Sequence, residues 1–133
     1  IVEILIGSEA NAPTISNSGL CGANPNEFAG NLSTSLIVLD VALNAFDNAP
    51  LGIEVDLDSL TNMPASAFNY CGFDVSDGEH YVYLAASNHQ SAYLHLCEAA
   101  PSQHPHSLAA GKLQCGQVIS ALVNTYLQTK QKI

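Results

Sequence analysis

The chain has no Arg and only three Lys among its 133 residues, set against twelve acids. Lys130 and Lys132 fall at the C-terminal end, so the rest of the sequence holds Lys112 alone. Phosphate backbones and anionic bilayers are gripped by Lys and Arg, so a net charge of −9 excludes nucleic acid and anionic membrane surfaces as partners. A ribonuclease is disabled too, since its transition-state charge needs a nearby cation. Charged residues make up 11% of the chain, under half the usual ~25%. Surface ion pairs therefore contribute little, and burial must hold the fold. No apolar run reaches the ~18 residues of a membrane span, because Asp40 and Asn44 break the longest candidate. There is no C-x-x-C pair, which argues against a thiolate zinc site.

With 47% apolar residues, the chain is expected to fold as one compact domain over 1–133. The four cysteines, Cys21, Cys71, Cys97 and Cys115, are widely spaced and read as two disulfides formed in an oxidising compartment. Cys97 ends a predicted strand and Cys115 opens the next helix, so Cys97–Cys115 is the favoured short closure, leaving Cys21–Cys71. The start at Ile1 without Met fits either a mature product after removal of a signal peptide or simply a trimmed chain. Asn31-Leu32-Ser33 is the one N-glycosylation sequon, with Asn31 the acceptor.

Residues 1–6 form a β-branched run and predict a strand. Residues 8–26 lose periodicity and predict a long loop tethered by Cys21. Between 26 and 48, Leu32, Leu36, Leu39, Leu43 and Phe46 step by three and four, as in a helix. Ile53, Val55 and Leu57 alternate with Glu54, Asp56 and Asp58, predicting a half-buried strand. Residues 67–98 read as a three-stranded antiparallel meander, turning at Ser76-Asp77-Gly78-Glu79 and joining strands 67–75, 80–86 and 92–98. Residues 99–107 form a polar loop, and an apolar helix runs from Leu108 to the lysines near the end. The expected fold is α+β: an antiparallel sheet of four to five strands with two long helices, ordered β-α-β-β-β-β-α and stapled by two disulfides.

Few residues invite chemistry. His104-Pro105-His106 is the best metal candidate, but it needs a third ligand from His80 or His89, so exposed loop histidines are the preferred reading. His95 could pair with Tyr83 across a hairpin; a half-buried, hydrogen-bonded histidine is the plainer account. Glu54, Asp56 and Asp58 could hold Ca²⁺ at a ~7 Å spacing, yet the solvated face of an edge strand explains them as well. No nucleophile–base motif is present, and no cofactor is expected. Tyr81, Tyr83 and Tyr93, with His95, share a face in the meander and form either core or a binding surface.

The Ala-, Ser- and Asn-rich, acidic composition resembles that of small secreted proteins of filamentous fungi and other extracellular microbes. That resemblance implies a secreted effector, toxin-like or surface-associated protein that binds a protein or a neutral or basic surface. Two further readings stand beside it: a carrier of a small hydrophobic ligand, and a small extracellular metal- or His-dependent enzyme.

Overall fold

Leu51, Ile53, Val55 and Leu57 are almost wholly buried, while Glu54 and Asp56 between them are half-buried, so the predicted alternation survives in three dimensions. The computed structural model describes residues 2–6, 50–66 and 72–133 of this chain. Its elements are β1 (Val2–Ile6), β2 (Leu51–Asp56), α1 (Val75–Ser87), β3 (Ser91–Cys97) and α2 (Leu108–Lys130). Short 3₁₀ turns occupy Leu57–Ser59 and Pro101–Gln103.

The three described strands form one sheet in the order β1-β2-β3, and both pairings are parallel. This overturns the expected antiparallel sheet, and the cause lies in residues 75–87. Gly78, Tyr81, Val82, Ala85 and Ala86 are the buried positions there, spaced for one face of a helix rather than for alternating strand faces. The Asp77 carboxylate accepts from the Asp74 backbone N–H at 3.0 Å, closing the first turn where a hairpin turn is predicted. Gly78 therefore sits inside α1, where it lets Leu122 and Leu60 come close: a Cβ at this position would lie 3.4 Å from each. A helical crossover returns the chain to the same end of the sheet, so β2 and β3 must run parallel. β2 is accordingly a central strand, and the expectation of an edge strand for Glu54, Asp56 and Asp58 fails with the topology.

The strands expected at 1–6, 53–58 and 92–98 and the helix from Leu108 are present, within a few residues of the predicted ends. α2 starts where Ser107 Oγ accepts from Ala110 N–H at 3.1 Å. Its core-facing residues Cys115, Val118 and Leu122 pack with Val82, Ala85, Leu60, Ile53 and Val55, and Leu94 and Leu96 lie against the same cluster. Both helices thus contribute to the apolar face of the sheet. Alternation sends Gly52, Glu54 and Asp56, with their partners Tyr93, His95 and Cys97, to the other face.

Cys97 and Cys115 are free thiols, so the favoured Cys97–Cys115 bridge is not formed. Cys115 is buried in the core, where its Sγ approaches Pro64 O at 3.5 Å. The strand end and the helix face point the two sulfurs into different surroundings, which spacing along the chain does not reveal. Cys21, Cys71, Asn31, the 8–26 loop and the 26–48 helix lie outside the described residues. So does most of the strand expected at 67–75.

Candidate functional site

Parallel α/β sheets place their ligand sites at the carboxyl ends of the strands. Here β2 ends at Asp56 and β3 at Cys97, which are register partners, and Glu98 follows directly. Beyond β2 the chain tightens into the 3₁₀ turn, in which the Asp58 backbone N–H donates to Asp56 Oδ1 at 3.2 Å. Ser59 Oγ–H donates to Asp56 O at 2.6 Å. The turn buries Asp58 to 5% exposure beside a half-buried Asp56.

Glu98 carries φ 66°, a left-handed conformation that costs a non-glycine residue of order 1 kcal/mol. Its surroundings impose it. Glu98 O accepts from Ser66 N–H at 3.0 Å, Ala100 N–H donates to Pro64 O at 2.9 Å, and Ala65 bridges Ala99. The segment after β2 is thereby strapped to the segment after β3, bringing Asp56, Asp58 and Glu98 to one edge of the sheet.

Like charges so close are unfavourable. Burial, followed by the charges of Asp58 and Glu98, pushes the Asp56 carboxyl up to about 6, although the Asp58 backbone hydrogen bond pulls the other way. Burial and the charges of Asp56, Glu54, Glu98 and Asp58 push the Cys97 thiol up to about 11. Cys97 is therefore protonated at neutral pH and unsuited to nucleophilic attack.

The Asp56 shift predicts a pH-dependent stability. A folded-state value of about 6, above the usual 3.8, means that the folded chain takes up this proton more readily than the unfolded one. The resulting stabilisation is complete below the unfolded value and lost as pH rises through about 6. Asn at this position can still accept from Asp58 N–H but carries no charge. In chelator, Asp56→Asn is expected to stabilise the protein at pH 7.5 by about 1 kcal/mol, allowing for the solvent that screens a half-exposed carboxylate. At pH 4 the difference should vanish; urea unfolding at the two pH values measures it, and an equal effect at both would refute the assignment.

The other sequence candidates do not gather at this edge. Tyr81 and Tyr83 lie on α1, not on a strand: Tyr81 is 3% exposed in the core and Tyr83 is 48% exposed. Tyr93 lies on β3 with its ring against Gly52 of β2, so the three tyrosines share no sheet face. His95 meets Glu54 rather than Tyr83, with Nδ1 2.8 Å from Oε2; the carboxylate only accepts, so Nδ1 carries the proton. His104 and His106 have ring centroids 5.4 Å apart, but His104 Nδ1 accepts from the backbone N–H of His106 at 3.1 Å, forming part of the entry to α2. His80 and His89 are exposed on and just after α1. Among the described residues no three His, Cys, Asp or Glu side chains are arranged to hold a metal ion. Sequence reasoning placed Asp56 and Asp58 with Glu54 in one strand-face row, either a Ca²⁺ candidate or a solvated edge, and missed Glu98. Parallel pairing is the signal that joins them, because it alone brings the ends of β2 and β3 together.

No protein-family profile matches the sequence, and no curated protein matches it. Solved structures with a similar fold do exist. One is oxidised Trypanosoma cruzi formiminoglutamase, at TM-score 0.56 and 16% identity, over 69% of this chain and 30% of that one. The same enzyme solved with Mn²⁺ gives TM-score 0.56 and 16% identity over 70% and 31%. A variant of it with Mn²⁺ gives 0.54 and 15% over 70% and 30%. This chain thus spans about a third of the length of those enzymes, and at such identity the likeness is one of fold alone, a parallel α/β unit.

Proposed function

We propose that this chain is a unit of a metal-dependent enzyme and that Asp56 and Asp58 are ligands for a hard divalent cation, with Glu98 as an anionic neighbour. The observation that carries this reading is the crowding of Asp56, Asp58 and Glu98 at the carboxyl ends of two parallel strands. The crowding costs stability in the absence of a counter-charge, and a bound cation would relieve it. Carboxylate oxygens suit Mg²⁺, Mn²⁺ or Ca²⁺, and small divalent ions often take one or two protein carboxylates, completing their shell with water and substrate. The pair therefore fits part of such a shell; the described residues do not supply a full one. The fold likeness to an enzyme solved with Mn²⁺ supports the same reading.

A bound metal would supply Lewis acidity and an activated water. The protein's own part is positional. The Leu57–Ser59 turn orients Asp58 back toward Asp56, and the strap between residues 64–66 and 98–100 fixes Glu98 beside them. Cys97, kept neutral, adds no competing charge to this edge.

Mn²⁺ titrated into chelator-treated protein should give a saturable calorimetric signal and raise the melting temperature. Ligand at 100 times its Kd stabilises by about 2.7 kcal/mol. Asp58→Asn should lose most of both effects. A wild type whose melting temperature does not respond to Mn²⁺, or an Asp58→Asn protein that binds as well as the wild type, would refute the site.

A further inference from the structure

Among the described residues the non-glycine positions with positive φ are Asn62, at 54°, and Glu98, at 66°, and both lie in the segments that follow the strand ends. Glu98 is held by the strap between residues 64–66 and 98–100. Asn62 is held differently. Asparagine tolerates the left-handed region better than most residues, and here it turns the chain between the Leu57–Ser59 turn and Pro64. On one side of it, Ser59 O accepts from Phe73 N–H at 3.0 Å and Thr61 N–H donates to Phe73 O at 2.9 Å. On the other side, Pro64 O accepts from Ala100 N–H at 2.9 Å. At Asn62 itself the contact is a side chain from outside the loop: Gln114 Nε2–H donates to Asn62 O at 2.9 Å.

Gln114 lies in the first two turns of α2, and its neighbours there meet both segments. The Gly111 backbone stands against Pro101, beyond β3, and Cys115 Sγ approaches Pro64 O at 3.5 Å, beyond β2. Gly111 and Cys115 are both buried, so this stretch of helix cannot shift without leaving the core. α2 thus braces the two segments that carry Asp58 and Glu98, and Gln114 supplies the amide contact of that brace.

We infer that Gln114 is a positioning residue for the carboxylate edge: by fixing the left-handed turn at Asn62 it sets the placement of Asp58 against Glu98, and with it the affinity for a divalent cation. The inference rests on the cation reading above. Gln114 acts through the backbone of residues 57–66 and not on the ion. Without its donor, Asn62 can relax out of a sparsely populated conformation, and the loop loses its amide hold on α2. A Mg²⁺-sized ion demands near-ideal placement of its oxygens, so a small drift of Asp58 weakens binding.

The test is calorimetric titration of the chain with Mn²⁺, joined to amide hydrogen exchange in chelator. Gln114→Met keeps the length of the side chain and removes the donor; it should raise the Kd for Mn²⁺ about tenfold, the lower end of what an outer-shell contact is worth to a metal site. Gln114→Glu should weaken binding too, although its added negative charge alone would tighten a cation, because a carboxylate cannot donate to Asn62 O. Lys130→Met removes a bond of the same kind at the far end of α2, from Nζ to Asn88 O, and should leave the Kd unchanged. In chelator, the Ser66 amide, bonded to Glu98 O, should exchange severalfold faster in Gln114→Met than in the wild type. A wild type that takes up no Mn²⁺ would end the cation reading and this inference together. Where the wild type binds, an unchanged Kd in Gln114→Met, tighter binding by Gln114→Glu, an equal loss in Lys130→Met, or unaltered Ser66 exchange would overturn the role of Gln114 alone.

Discussion

Gly111→Ala is expected to destabilise the protein by about 2–3 kcal/mol, although the same change in a free helix stabilises. Gly111 lies in the first turn of α2, with its backbone against the 3₁₀ turn at Pro101–Gln103. A Cβ there would overlap the Pro101 carbonyl oxygen and stand 2.8 Å from its carbon and 2.9 Å from His104 Cβ. Two of these three neighbours are backbone atoms, so no rotamer change relieves the clash. Either the helix start lifts away from the turn or the turn itself shifts. The second course disturbs His104, whose Nδ1 accepts from the backbone of His106 at the helix entry. Gly116 provides the internal control. It lies on the same helix with open space around its missing side chain, so Gly116→Ala should stabilise by about 0.5–1 kcal/mol. Chemical unfolding of both variants gives opposite signs if close packing, rather than helix propensity, decides at Gly111. A neutral or stabilising Gly111→Ala would show that the turn gives way freely.

The contrast between these two glycines marks where sequence reading stops. Both stand in one apolar periodic run, and nothing within α2 distinguishes them; the difference comes from a loop that returns to the helix. The same limit explains the misreading of residues 75–87. Tyr81-Val82-Tyr83-Leu84 alternates like a strand, and Asp77-Gly78 has the chemistry of a hairpin turn. Gly78, Tyr81, Val82, Ala85 and Ala86 also satisfy the helical period, and tertiary packing of that face against Leu60 and Leu122 decides for the helix. One wrong element then reversed the sheet, because a helix between β2 and β3 forces parallel pairing where a hairpin forces antiparallel.

By contrast, β2 was legible because its strict alternation has no helical counterpart, and Ile53, Val55 and Leu57 are buried as that alternation requires. The carboxylates between them were visible as a row, but their crowding was not. Asp58 leaves the strand in the Leu57–Ser59 turn, and Glu98 joins only through the parallel topology. The disulfide reading failed for a related reason. Cys97 and Cys115 are close in sequence, yet one ends a strand among acids while the other faces the core between helices. With that bridge absent, the inference of an oxidising compartment loses one of its two supports.

Leu122→Ala should cost about 3 kcal/mol, within the 2–5 kcal/mol range for a leucine removed from a well-packed interior. Leu122 is 0% exposed, and one of its methyls reaches the space that Gly78 leaves open on α1. It belongs to one apolar cluster with Leu60, Val82, Ala85, Ile53 and Val55, so truncation opens a cavity where both helices meet the sheet. Neither helix can close it easily. α1 is held at its start by the Asp74–Asp77 hydrogen bond, and α2 is held at its start by Ser107 and near its end by Lys130, whose Nζ donates to Asn88 O at 3.4 Å. Leu113, on the same helix but 65% exposed, gives the matched comparison: Leu113→Ala should change stability by less than about 0.5 kcal/mol. The two variants differ only in which side of α2 loses its leucine. Urea unfolding should therefore show a large loss for one and almost none for the other, with similar slopes against denaturant. Equal losses would mean that α2 is not seated on the sheet by the face containing Cys115, Val118 and Leu122. The carboxylate edge depends on that seating, because Gln114 of α2 donates to Asn62 O at 2.9 Å and Cys115 contacts Pro64, in the segment strapped to Glu98. A cavity at Leu122 should thus weaken Mn²⁺ affinity as well as stability, whereas Leu113→Ala should leave both unchanged.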